Sequence, residues 1–250
     1  MVSTLNKIIA LFLTGGLALF LACCFHWPQL SKLLMGQPSS DSRIWVALGL
    51  IFIPVTAATG AVFTGLSEVS IQRIVKRSAS SRYVARLLGR RRAARNLDYW
   101  RGRLQELAST DASLSWIKNQ PKADAPWLLE ASAIGNFHCT ARPETFSWLV
   151  EDYSTFLLAA NLAFVLAAGV AYLFLGSIAA RLGLWWPVVI PIEGSKVVLL
   201  LIAALGGIWS LCSLAAGRYL YCCEVFCRQL SLWLSDSRLS GVVDLKPGKR

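Results

Sequence analysis

Residues 153–180, with the sequence YSTFLLAANLAFVLAAGVAYLFLGSIAA, contain no Asp, Glu, Lys or Arg. An α-helix rises about 1.5 Å per residue, so roughly 20 apolar residues are enough to cross a hydrocarbon core about 30 Å thick. Three further stretches without these charged residues are also long enough, at residues 8–31, 44–67 and 197–217. The sequence therefore predicts an all-α, polytopic integral membrane protein with four transmembrane helices.

The predicted spans set the organisation of the chain. They cover residues of about 8–26, 44–66, 153–177 and 197–217. These spans divide the chain into four parts: a first transmembrane hairpin (1–66), a cytoplasmic helical segment (67–152), a second transmembrane hairpin (153–217) and a cytoplasmic helical extension with a basic tail (218–250). The first apolar stretch follows Lys7 and also fits a secretory signal peptide, but we expect it to be retained as the first span.

Composition and charge agree with this class and indicate an orientation. Hydrophobic residues make up 55% of the chain and charged residues only 16%, which is too few for a soluble domain. With the amino terminus inside, 21 of the 25 cations lie in the cytoplasm, where membrane proteins carry their excess of Lys and Arg. We therefore expect a bacterial inner membrane protein with both termini cytoplasmic, and the net charge of +11 is largely this topology signal.

The cytoplasmic segment is basic in its first half and acidic in its second. From Glu68 to Arg103 there are eleven cations against two acids, and from Leu104 to Asp152 there are three cations against seven acids. Apolar residues recur at helical spacing in the basic half, which predicts that the second span continues inward as an amphipathic basic helix. Pro143 suits the first turn of a helix that runs into the third span.

The arginines of the basic helix are the predicted docking residues. Their charge suits anionic lipid headgroups or an acidic partner protein, and a nucleic-acid patch is the least favoured of the three interpretations. The partners that we expect are therefore membrane lipid and either other protein subunits or further copies of the chain. The predicted docking residues are Arg86, Arg90, Arg91, Arg92 and Arg95.

Small residues in the last two spans predict close helix packing. Backbones of membrane helices approach each other where side chains are small. Packing within the chain is the favoured interpretation, and contact with another subunit is the alternative. The residues concerned are Ala160, Ala163, Ala167, Ala171, Gly206 and Gly207.

The sequence shows no motif that carries chemistry. It has no G-x-x-x-x-G-K-[ST], G-x-S-x-G or H-E-x-x-H pattern, so we predict no catalytic residue, cofactor or metal site. Cys222, Cys223 and Cys227 share a helical face, and packing is favoured over metal binding for them. No Asp, Glu, Lys or Arg lies deep in a predicted span, where the polar groups include Asn161, Thr56, Thr59 and Thr64. The absence of such charged residues argues against a proton-coupled transporter.

These features favour a non-enzymatic inner-membrane subunit. We expect it to act as an anchor and docking platform in a bacterial multiprotein assembly such as a secretion or conjugation machine. The alternative is a homo-oligomeric pore or channel, of the kind that a defence effector forms, gated through its cytoplasmic segment. A membrane enzyme that uses Glu144, Glu151 or Asp152 is the weakest of the three hypotheses.

Overall fold

The computed structural model describes residues 2–26, 31, 42–110, 143–183 and 194–235. These residues are almost wholly helical and include no β-strand, which confirms the all-α prediction. The acidic residues between 111 and 142 and the basic tail from 236 to 250 lie outside the described part. In chain order the helices are α1 (Val2–Phe25), α2 (Ser42–Ser67), α3 (Arg73–Lys76), α4 (Arg82–Leu87), α5 (Arg91–Thr110), α6 (Pro143–Arg181) and α7 (Gly194–Ser235).

Four of the helical stretches are long and apolar enough to span a membrane, as the sequence predicted. They cover Ile8–Phe25, Leu50–Ala79, Glu151–Ala179 and Val198–Gln229. Within an apolar 18-residue stretch of each, only 11 to 22% of the residues are buried within the protein, so most of this apolar surface faces outward. Soluble monomers rarely expose apolar surface on this scale.

α6 and α7 are much longer than their predicted spans. α6 begins at Pro143 as expected, because the first turn of a helix does not need the N–H group that proline lacks. α7 continues without a break to Ser235, well beyond the last residue of its charge-free stretch, Gly217.

The chain divides into two compact units. The first, called here the apolar unit, comprises Thr4–Gln72 and Leu157–Cys212. The second, called here the basic unit, comprises Met1–Ser3, Arg73–Phe156 and Ser213–Arg250.

In the apolar unit, α1 and α2 touch through their backbones at two glycines. A Cβ atom placed on Gly15 would overlap the carbonyl oxygen of Thr56 and lie 2.9 Å from the amide nitrogen of Gly60. One placed on Gly60 would overlap the carbonyl oxygen of Leu11. Since Gly60 lies against Leu11 and Gly15 against Thr56, the helices run in opposite directions where they cross.

A buried chain of polar side chains joins α2 to α6 in the same unit. Gln72 lies at the end of a π-helical turn, Glu68–Gln72, and its Nε2 donates to Oδ1 of Asn161 over 3.0 Å. Asn161 in turn donates from Nδ2 to Oγ1 of Thr64, also over 3.0 Å. Asn161 and Gln72 are almost fully buried, so these hydrogen bonds offset the cost of removing their amides from water.

The second span continues inward as predicted, in one helical stretch that reaches Ala79. Beyond Ala79 the expected amphipathic helix is interrupted, and that part of the prediction is wrong. A 3-10 turn, Arg77–Ala79, follows α3, and the side chain of Ser81 caps α4 by accepting a hydrogen bond from the amide of Val84. α4 then ends at Leu87, and Gly89, two residues further on, has a φ of +70°, which favours glycine. The amide of Arg90 reaches back to the carbonyl of Ala85 over 2.7 Å and closes the turn.

α5 is amphipathic and presents one face to the interior of the basic unit. Ala94, Leu97 and Leu104 are buried at helical spacing. On the same face, Nη1 of Arg101 donates to the carbonyl oxygen of Ala79 over 2.7 Å. Arg82 of α4 pairs with Asp98 of α5 over 3.0 Å. These contacts hold α5 at a fixed rotation, which decides where its other arginines point.

Candidate functional site

The turn between α4 and α5 is bonded to α7 by two reciprocal hydrogen bonds. Oγ of Ser213 donates to the carbonyl oxygen of Leu88, and Nε of Arg90 donates to the carbonyl oxygen of Ser213, each over 2.9 Å. Both bonds lie inside the basic unit. They fix the start of α5 against one face of α7.

Gly217 makes room for the guanidinium group of Arg90. A Cβ atom at Gly217 would lie 3.0 Å from both Cζ and Nε of Arg90, which is tighter than ordinary van der Waals contact. A larger side chain at this position would therefore push the guanidinium group away from α7. Arg90 is thus a cation held in place by its surroundings, unlike a long side chain free in solvent.

Arg218, the residue after Gly217, is a second cation whose position is fixed by its surroundings. Nη1 of Arg218 lies 2.6 Å from Oδ1 of Asp152, which is largely shielded from solvent. This bond joins α7 to the part of α6 that belongs to the basic unit. The rings of Phe156 on α6 and Tyr219 on α7 also pack against each other, with centroids 5.1 Å apart.

An open cleft of about 780 Å³ lies next to these two arginines. We call it the charged cleft. It is lined by Gly89, Arg90, Arg92, Ala93, Asn96, Glu151, Asp152, Leu214, Gly217, Arg218, Tyr221 and Glu224. Arg218 and Asp152 pair with each other, but within the described part of the chain Arg90, Arg92, Glu151 and Glu224 form no ion pair. The cleft therefore offers two cations and two carboxylates to a ligand.

The structure separates the five predicted docking arginines into different surfaces. Arg90 and Arg92 line the charged cleft. Arg91 and Arg95 are exposed one helical turn apart and line a small hollow with Arg82, and these three residues are called here the arginine patch. Arg86 is exposed on α4 and lines neither surface.

The predicted packing residues also fall into different environments. Ala160 and Ala163 are fully buried, Ala167 is half-buried and Ala171 is exposed. A Cβ atom placed on Gly207 would lie 3.8 Å from Cδ1 of Leu166, whereas one placed on Gly206 would meet nothing. Sequence reasoning missed Gly15 and Gly60, the closest backbone contact described above, although Gly15-Gly16 stands out in the first span.

The remaining candidates for chemistry are placed as follows. Cys222, Cys223 and Cys227 are buried in the basic unit, and none of them forms a disulfide within the described part of the chain. Among the described residues no group of three His, Cys, Asp or Glu side chains is arranged to hold a metal ion. Of the carboxylates considered for an enzyme, Glu151 and Asp152 line the charged cleft, and the side chain of Glu144 lies outside the described part.

Comparison with known proteins gives no relative. The chain matches no protein family, no curated protein and no solved structure. The charged cleft and the arginine patch therefore have to be interpreted from their own chemistry. Their side chains offer charge-assisted hydrogen bonds to phosphate, carboxylate and ammonium groups.

Proposed function

We propose that the protein is a multi-pass subunit of a bacterial inner membrane. In this proposal it anchors and docks a partner within a multiprotein assembly such as a secretion or conjugation machine, and it catalyses no reaction itself. The four apolar helices supply the anchor, since their outward-facing side chains suit lipid better than water. The distribution of Lys and Arg supports cytoplasmic termini and a cytoplasmic basic unit.

The observation that carries the docking proposal is the arginine patch. Arg91 and Arg95 are exposed on a helix whose opposite face is buried, so their direction is set by the core of the basic unit. Neither forms an ion pair within the described residues. Adjacent arginines held on a rigid helix suit the carboxylates of an acidic protein surface, to which they can form bidentate hydrogen bonds.

The experiment compares two variants with equal loss of charge. Arg91→Gln with Arg95→Gln removes the exposed pair from the arginine patch, while Arg77→Gln with Arg103→Gln removes two exposed cations elsewhere in the basic unit. Each full chain is purified from its own membranes in mild detergent, and the proteins that remain bound are quantified. We expect the first variant to lose partner affinity at least about tenfold, which is about 1.4 kcal/mol, and the second to behave like the wild type.

The salt dependence of association and the thermal stability of the variants can contradict the docking proposal. Wild-type association should weaken as ionic strength rises, because charges at the rim of an interface are screened over about 8 Å at physiological salt. An equal loss for both variants would mean that net charge matters and the patch does not. If the first variant keeps its partners and loses thermal stability, the patch binds the acidic half of its own segment and the docking proposal is wrong.

One feature favours the second candidate, a homo-oligomeric pore. Ala203, Gly206 and Ser210 are small, exposed and spaced along one side of α7, which suits contact with another membrane helix. The same purification tests it. A stable complex of identical chains that conducts ions in a planar bilayer would support the pore, and a monomer bound to other proteins would support the docking subunit.

A further inference from the structure

The charged cleft carries separated charges of both signs, and this pattern limits its ligand. Arg90 and Arg92 are cations, Glu151 and Glu224 are carboxylates, and within the described residues none of the four forms an ion pair. A dianion would face the carboxylates, and a simple cation would face the arginines. A ligand with one positive and one negative group, a few bonds apart, can satisfy both pairs.

The cleft is partly organised before any ligand arrives. The guanidinium group of Arg90 donates a hydrogen bond to the carbonyl oxygen of Ser213 and lies close against Gly217. Arg218 is held by its ion pair with Asp152. Preorganised arginines bind oxyanions better than mobile ones, because less side-chain freedom is lost on binding. A phosphate is the oxyanion that suits two arginines and the neighbouring Asn96 amide.

The position of the cleft along α7 indicates where such a ligand comes from. The residues of α7 that line the cleft run from Leu214 to Glu224, and the charge-free stretch of α7 ends between these two residues, at Gly217. In a helix that spans the membrane, this is the level at which the hydrocarbon core gives way to lipid headgroups. Tyr221, 48% exposed on the lining, is of the residue type that concentrates at this level.

We propose that the charged cleft binds the phosphoethanolamine headgroup of a membrane phospholipid. The phosphate lies against Arg90 and Arg92, and the primary ammonium donates hydrogen bonds to Glu151 and Glu224. The trimethylated ammonium of phosphatidylcholine cannot donate such bonds, and phosphatidylglycerol has no ammonium at all. This inference rests on the proposed membrane insertion but not on the docking role of the arginine patch.

The test uses the full chain, delipidated in detergent and titrated with lipids that share the same acyl chains, with bound lipid counted by native mass spectrometry. We expect phosphatidylethanolamine to bind roughly tenfold more tightly than phosphatidylcholine, the ratio expected for charge-assisted hydrogen bonds. Glu151→Gln with Glu224→Gln should abolish that preference. The matched control, Glu68→Gln with Glu106→Gln, removes two exposed carboxylates that do not line the cleft and should preserve it.

A second variant addresses the phosphate side. Gly217→Leu should displace Arg90 and weaken binding of all three phospholipids, while far-ultraviolet circular dichroism reports whether the helices are retained. Equal affinity for phosphatidylethanolamine and phosphatidylcholine in the wild type would overturn the proposal. So would full competition by water-soluble phosphoethanolamine at the concentration of the lipid, since the ligand would then be the soluble ester.

Failure of this inference and failure of the proposed function give different results. Extraction of the chain from membranes by alkaline carbonate would contradict membrane insertion and both proposals together. Arg91→Gln with Arg95→Gln should bind phosphatidylethanolamine as the wild type does, even when it has lost its protein partners. Loss of lipid binding in that variant would show that the arginine patch and the charged cleft are one site. That result would contradict the proposal that the charged cleft binds the lipid independently of the arginine patch.

Discussion

Single glycines decide how closely the helices of the apolar unit approach. At Gly15 and Gly60 the backbones of α1 and α2 touch, and no larger residue fits without separating them. The sequence predicted small-residue packing only in the last two spans. α1 is apolar on every side, so its hydrophobic pattern does not show which glycine faces a neighbour. Gly16, next in sequence, has open space where its Cβ would stand.

This contrast gives a matched test of the packing. Gly15→Ala and Gly60→Ala should each lower the thermal stability of the detergent-solubilised protein by several degrees, because the added methyl group overlaps backbone atoms that cannot rotate away. Gly16→Ala and Gly65→Ala place the same group in open space on the same two helices. They should leave stability unchanged or raise it slightly, since alanine favours helix more than glycine. Equal melting temperatures for all four variants would contradict the crossing.

The arginines show the same limit of sequence reasoning. The five predicted docking residues could be grouped by charge and helical pattern, but not assigned to separate surfaces. That separation depends on the rotation of α5, which the bonds of Arg90 to α7 and of Arg101 to Ala79 fix. Neither of these long-range contacts can be predicted from the spacing of apolar residues in the sequence.

At the scale of elements, breaks between helices matter as much as the helices. Four apolar stretches predicted four long helices because a charge-free run of that length has few alternatives. The basic segment was predicted as one helix because its apolar spacing is helical. Ser81 and Gly89 were the signals for the break, since serine caps helix starts and glycine ends helices with a positive φ.

The turn at Gly89 can be tested against another glycine in the same segment. Gly89→Ala should lower the free energy of unfolding by about 1 kcal/mol, because its φ of +70° is unfavourable for a residue with a side chain. Gly102→Ala lies inside α5, where a Cβ meets nothing, and should be neutral or stabilising by up to about 1 kcal/mol. Urea titration followed by circular dichroism measures both. A Gly89→Ala variant as stable as Gly102→Ala would mean that the turn is not held in this conformation.

For the whole molecule, the proposed docking role depends on which side of a membrane the basic unit occupies. The charge-free helices predict insertion, and the bias of Lys and Arg predicts the orientation. The docking role of the arginine patch needs the basic unit in the cytoplasm. The arginine patch would otherwise have no access to a cytoplasmic partner, and the charged cleft would face the opposite leaflet.

The most direct test of the central claim is a set of reporter fusions that end at four positions. Alkaline phosphatase is active only outside the inner membrane. Green fluorescent protein does not fluoresce when it is exported through the general secretion pathway, so it reports positions inside the cell. Fusions at Gln37 and Gly183 should give phosphatase activity and no fluorescence, and fusions at Ser109 and Asp244 should give the reverse. Phosphatase activity at Ser109 would place the basic unit outside the cell and contradict the account.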